Sequence, residues 1–115
     1  MARTFDETEL LARVDNDTAF LAETVDMLTS DGPPLLDQLR RALAAGDAPA
    51  VSRTAHSIKG MVSNFCAAGA RAAAQRVEQF GKSGDLAAAP AAAQTLHEDL
   101  DSLTRELLEF VKAKA

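Results

Sequence analysis

The chain has 115 residues, of which 47% are hydrophobic and 25% charged, a composition that suits one globular domain over 1–115 with a single core. Twelve Lys and Arg against 17 Asp and Glu give a net charge of −5. That balance, with no basic run, no Trp and no Tyr, argues against nucleic-acid and anionic-membrane partners. The single Cys66 excludes an internal disulfide and any multi-cysteine metal site, and reads as a small apolar side chain. The opening MARTFDETEL carries three acids and no apolar run, unlike a secretory signal, and the Ala-rich stretch 86–97 contains a Pro and is no membrane span. A cytoplasmic, monomeric protein is the expectation.

Apolar residues recur at helical spacing along nearly the whole chain, and no run of alternating β-branched residues suggests a strand. Thr4 with Glu7 three residues on reads as a capping box that opens a short helix to about Val14. Asn16 or Asp17 caps a second helix carrying Phe20, Leu21, Val25 and Leu28. Ser30-Asp31-Gly32-Pro33-Pro34 interrupts the pattern, so either a third segment restarts there and runs to Ala45, or one long arm kinks at the prolines. Gly46-Asp47 is a stop followed by a new N-cap. The next helix runs to 65–67, another spans about Gly69 to Phe80, and Asp85 caps the last, whose start Pro90 bends or delays. Four amphipathic arms, 17–45, 48–66, 69–81 and 86–113, predict an all-α, antiparallel up-down four-helix bundle with a short N-terminal helix and a kinked or split first arm.

Chemistry concentrates in Ala55-His56-Ser57-Ile58-Lys59-Gly60. On a helical wheel Val51, Ala55, Ile58, Val62 and Phe65 form one stripe, and His56 points roughly 130° away from its centre, towards solvent. Lys59 and Gly60 lie one turn beyond it, Ser63 a further turn on, and Ser52 and Arg53 one turn before. A lone exposed His or Lys is ordinarily a surface residue. Gly60 is different: Gly inside a helix costs roughly 0.5–1 kcal/mol relative to Ala, and on an exposed face packing does not explain it. A bare patch beside an imidazole, with a cation adjacent, suits a phosphoryl group and a closely docking partner.

The stretch AHSIKGMVSNF resembles the signature of histidine-containing phosphotransfer (HPt) domains, in which a helix carries Ala-His-x-(apolar)-Lys-Gly. Phe20-Leu21, the run from Leu39 through Ala42-Leu43 to Gly46-Asp47, Val77-Glu78 and Gly84-Asp85 extend the resemblance over about 17 to 110. The resemblance implies a phospho-accepting His56 exposed midway along a bundle helix, with Lys59 and Gly60 as its helical neighbours and Ser52, Arg53 and Ser63 around the docking face. It also places Glu78 against the other imidazole nitrogen, which would fix the tautomer and leave Nε2 as the nucleophile. The competing reading of Glu78 is a solvated flank residue paired with Lys82 at i+4. Cys66 stands where the family usually has Gly, and Met61 where a small residue is common; Gly69 is then the candidate for the tight spot after the His helix. His97, with Asp101 at i+4 and no Lys-Gly pair after it, reads as a surface residue.

The implied function is a phosphorelay carrier, not an enzyme, that exchanges a phosphoryl group between His56 and an aspartate of a response-regulator receiver domain. A sensor histidine kinase is the other implied partner. The chain offers no carboxylate cluster for a metal and no phosphate-cradling Gly loop, so no cofactor is expected on it, and Mg²⁺ is expected on the receiver. Three alternatives stand beside this reading. They are a phospho-accepting domain of a chemotaxis-type kinase charged directly by an ATP-binding domain, a helical interaction module that is never phosphorylated, and a hydrolase with His56 as general base.

Overall fold

The computed structural model describes residues 4–114, and among them there are five helices and no strand. They are α1 (Glu7–Arg13), α2 (Thr18–Ala45), α3 (Ala48–Ser63), α4 (Ala68–Ser83) and α5 (Ala89–Lys114). The four long helices pack in a ring, α2 on α3, α3 on α4, α4 on α5 and α5 on α2, with α3 and α4 in the most extensive contact. At 1.5 Å per residue the 28 residues of α2 span about 42 Å, which sets the long dimension of the 43 × 24 × 21 Å molecule.

Helices α1, α2 and α3 each begin where an Asp carboxylate satisfies an orphan amide, whereas α4 starts after Ala67 with no side-chain cap. Asp17 accepts from Phe20 N–H and Asp47 from Ala50 N–H. Asp6, not Thr4, caps α1: its Oδ1 accepts from Glu9 N–H at 3.0 Å, whereas the Thr4 amide donates to Glu106 of α5 and ties the N-terminal segment down. Asp85 accepts from Ala88 N–H at 3.2 Å, but residues 86–88 form only a turn and α5 proper starts at Ala89, just before Pro90. The delay expected from Pro90 is therefore observed. Gly46 and Gly84 adopt the left-handed conformation that ends α2 and α4.

The first arm is one unbroken helix. Pro33 and Pro34 lie inside α2, where they remove two backbone donors. The cost is met by packing, because Leu21, Val25, Leu28, Gly32, Leu39 and Ala42 are buried on both sides of the prolines. Both prolines face solvent.

The His-bearing helix ends earlier than its apolar pattern suggests, at Ser63 with Asn64 as C-cap. Phe65 and Ala67 are buried all the same, so apolar residues of the connecting turn extended the apparent stripe. The reversal falls on Cys66 (φ +55°), whose carbonyl accepts from the Asp6 amide. Gly69 does not take over this role; it is an ordinary residue of α4. Helix α4 likewise runs past Phe80 to Ser83, with Gly81 inside it.

The core is assembled from the wheel faces expected: Val51, Ala55, Ile58 and Val62 of α3, Ala70, Ala73, Ala74 and Val77 of α4, and Leu96, Leu100, Leu103 and Leu107 of α5. Phe5 closes one end by an edge-on contact with Phe110, with ring centroids 5.4 Å apart. No described helix is long and apolar enough to cross a membrane.

Candidate functional site

Burial of Val51, Ala55, Ile58 and Val62 fixes the rotation of α3 and turns the intervening residues outward. His56 is consequently exposed, with 68% of its side chain accessible. Nothing lies within 4 Å of the position a Cβ would take on Gly60, so the surface one turn above His56 is bare.

Across the seam, α4 approaches closely because Gly81 has no side chain. A Cβ there would lie 2.7 Å from the backbone nitrogen of Ser52 and 2.9 Å from its Cα. This contact brings the two helices together one turn from Glu78. The Glu78 carboxylate is buried, only 6% of its side chain being accessible, and it lies between His56 and two lysines. Its Oε2 is 2.9 Å from His56 Nδ1, and Lys82 Nζ is 3.4 Å from the same oxygen. Lys59 Nζ lies 2.7 Å from Oε1. That ammonium approaches off the hydrogen-bonding direction, since no donor is aligned on Oε1, so the contact holds through charge.

These partners decide the protonation of the site. Chiefly through Lys59, and against the cost of burial, with His56 and Lys82 assisting, the Glu78 carboxyl is held down to about 2. Glu78 is therefore a carboxylate at neutral pH and accepts only. The nitrogen facing it must donate, so His56 Nδ1 carries the proton, and in the neutral ring Nε2 keeps its lone pair. A positive charge developing on the ring would be offset by the carboxylate 2.9 Å away. The arrangement is a nucleophilic nitrogen with an oriented ring, a counter-charge behind it and cations beside it.

Of the residues singled out in the sequence, His56, Lys59 and Glu78 converge, and Gly60 lies open beside them. Glu78 is not a solvated flank residue. It does pair with Lys82, as the competing reading held, but from a buried position and together with His56 and Lys59. Arg53 is exposed. Ser52 is half-buried with its backbone against Gly81, and the Ser63 hydroxyl donates to the Lys59 carbonyl at 2.6 Å. His97 lies on α5 against α2, in a groove with Leu36 and Arg40, not with His56.

Lys82 is the site residue the sequence reading undervalued, having treated it as a competitor for Glu78. Its i+4 spacing from Glu78 was the available signal. Also unforeseen is an apolar hollow of about 390 Å³ between α2 and α3, bordered by Phe20, Met27, Met61 and Phe65. Phe20 and Met27 are 51% and 62% exposed, a large apolar area to leave in water.

Comparison with known proteins bears on the family and the fold. The family model for the Hpt domain matches residues 23–106. The chain is similar to the crystal structure of histidine-containing phosphotransfer protein B (HptB) from Pseudomonas aeruginosa PAO1, with a TM-score of 0.89 and 26% identity over 98% of each chain. No curated protein matches the sequence at a significant level.

Proposed function

The chain belongs to the Hpt domain family and is a histidine phosphotransfer carrier of a phosphorelay, and we propose that His56 is the residue that carries the phosphoryl group. The observation that carries this assignment is the contact of Nδ1 with buried Glu78, which in the neutral ring puts the lone pair on Nε2, on an exposed side chain.

The transfer is written between Nε2 and the aspartyl phosphate of a receiver domain. The Nε2 lone pair attacks phosphorus in line, an N–P bond forms and the acyl O–P bond breaks. The receiver's aspartate leaves as a carboxylate, and the phosphorylated ring, still protonated at Nδ1, takes up positive charge against Glu78. The reverse step returns the phosphoryl group by the same path. Lys59 and Lys82 offset the charge that arrives with the phosphoryl oxygens. Gly60 leaves room for the receiver's rim, and Ser52, Arg53 and Ser63 border the docking face, with the hollow at Phe20 and Met27 as its apolar part.

In this reading the chain works as one domain over 1–115, its four long helices running alternately up and down, as the short connections favour. It acts as a monomeric cytoplasmic carrier and not as an enzyme, meeting receiver domains and a sensor histidine kinase. Mg²⁺ belongs to the receiver, and the carrier itself needs no cofactor. The testing experiment incubates the chain with a panel of phosphorylated receiver domains and maps the acid-labile phosphate. Phosphate on His56 is expected; its absence with every receiver and kinase tried, from a folded chain, overturns the assignment.

A further inference from the structure

Charge is unevenly divided over the molecule. Residues 48–83, which hold α3 and α4, contain five cations (Arg53, Lys59, Arg71, Arg76 and Lys82) and one carboxylate, the buried Glu78. This hairpin therefore carries +4 in a chain of −5, while the rest holds the other 16 acids against seven cations.

The cations also differ in their surroundings. On α2, Arg41 pairs with Asp37 at 2.9 Å and Arg40 contacts the same carboxylate, and on α5 Arg105 pairs with Asp101 at 3.4 Å. Among the described residues, no carboxylate lies within ion-pairing distance of Arg53, Arg71 or Arg76, and all three are exposed. Arg71 and Lys82 stand two turns before and one turn after Glu78 on α4, so they share its edge, the one that faces α3 and His56. Arg53 lies one turn before His56 on α3. The seam that presents the imidazole is thus bordered by Arg53 and Arg71, which no carboxylate among the described residues neutralises, and by Lys82, whose one acidic partner is the buried Glu78 it shares with His56 and Lys59.

We propose that this α3–α4 face is an electrostatic steering surface, which captures a receiver domain whose active-site rim is acidic and orients it on His56. The partner's chemistry follows from the site: a pocket built around a phospho-accepting aspartate presents carboxylates, complementary to a +4 hairpin. The acidic α1, α2 and α5 repel the same rim elsewhere, so encounters are funnelled to one face. A nucleic acid is the poorer match, because the net charge of −5 opposes a long polyanion. The inference rests on the phosphorelay reading for the identity of the partner, but not on His56 being the phosphorylated residue.

The test measures association, independently of phosphate. A fluorescently labelled receiver domain that phosphorylates or is phosphorylated by the chain, and whose active-site rim is acidic, is mixed with the full chain in stopped flow. Wild type, Arg53→Glu/Arg71→Glu and the control Arg105→Glu/Lys112→Glu, which changes net charge equally on α5, are compared across ionic strength. The α3–α4 pair is expected to lower the association rate about tenfold or more at low salt, with the difference shrinking towards unity near 0.5 M salt, and the α5 pair to leave it within about twofold. Circular dichroism checks that each variant is folded, and Arg53→Gln/Arg71→Gln, a milder change, should give an intermediate loss. Equal slowing by both reversed pairs would assign the effect to net charge, and no slowing by either would remove steering; each overturns the proposal. Tighter binding of duplex DNA than of the receiver would overturn it as well. Phosphate mapping on the same wild-type sample reports separately on His56, so a failed steering surface and a failed acceptor are told apart.

Discussion

His56 Nδ1 on α3 lies 2.9 Å from Glu78 Oε2 on α4, and of the two residues it is the carboxylate that is buried. The usual arrangement of a surface ion pair is inverted: the acid is sheltered and committed to three cationic or polar partners, and the imidazole rides on it into solvent. Because Glu78 is held by Lys59 as well, the ring's orientation is set by a group that cannot easily turn away.

The first consequence concerns Glu78→Ala. Removing the acceptor frees the ring to adopt the other tautomer and to rotate, and the transfer rate should fall about tenfold without vanishing, since Nε2 remains in place. Nitrogen-15 NMR of the imidazole should show the Nε2–H tautomer gaining population. An unchanged rate with an unchanged tautomer ratio would mean that Glu78 serves only Lys59.

The second concerns pH. Glu78 titrates at about 2 in the fold against an ordinary 4.5, so its folded value is depressed. Such a group contributes stability that is fully present above 4.5 and is lost as pH falls from there towards 2. Denaturant unfolding of wild type and Glu78→Gln between pH 7 and 2.5 should show the wild-type advantage constant above about pH 5 and shrinking below it. An advantage that stays constant across the acid range would contradict the ion-pair network as its source.

Two glycines should respond oppositely. At Gly60 a Cβ meets nothing within 4 Å, so Gly60→Ala should raise stability by roughly 0.5–1 kcal/mol. Gly60→Gln should fold yet lower transfer at least about tenfold, some 1.4 kcal/mol in the transition state, by obstructing the receiver's approach. At Gly81 the added carbon would fall 2.7 Å from the Ser52 backbone, so Gly81→Ala should cost about 1–3 kcal/mol. Thermal unfolding and single-turnover transfer on the three variants provide the check. A Gly60→Gln protein that transfers at the wild-type rate would move the docking face elsewhere.

The contrast between these glycines shows what can be read from one dimension. Gly60 is legible because a helical wheel alone puts it beside His56 on an outward face. Gly81 is not: it looks like a helix stop, and only the distance between α3 and α4 reveals that its bare Cα lets Ser52 approach. The helices and their core stripes follow from local periodicity and were legible, but the ends of α3 at Ser63 and α4 at Ser83 were not. The continuity of α2 was left open between a restart and one long arm, because the penalty of Pro33 and Pro34 is local while the packing that outweighs it comes from α3 and α5. The cap of the first helix was read as Thr4, but it is Asp6 that accepts from Glu9 N–H, while the Thr4 amide is drawn to Glu106, 102 residues away and invisible to local pattern. Glu78 was open between two partners in the sequence; the fold resolves the choice by burying it among both.

The central claim is that His56 alone carries the phosphoryl group, and His56→Gln tests it most directly. An exposed side chain contributes little packing, so the variant should unfold within about 0.5 kcal/mol of wild type. Incubated with a phosphorylated receiver that labels wild type, it should take up no acid-labile phosphate, and His97, on the α2–α5 seam, should remain unlabelled in both proteins. Substantial acid-labile phosphate on the folded His56→Gln chain would contradict the account.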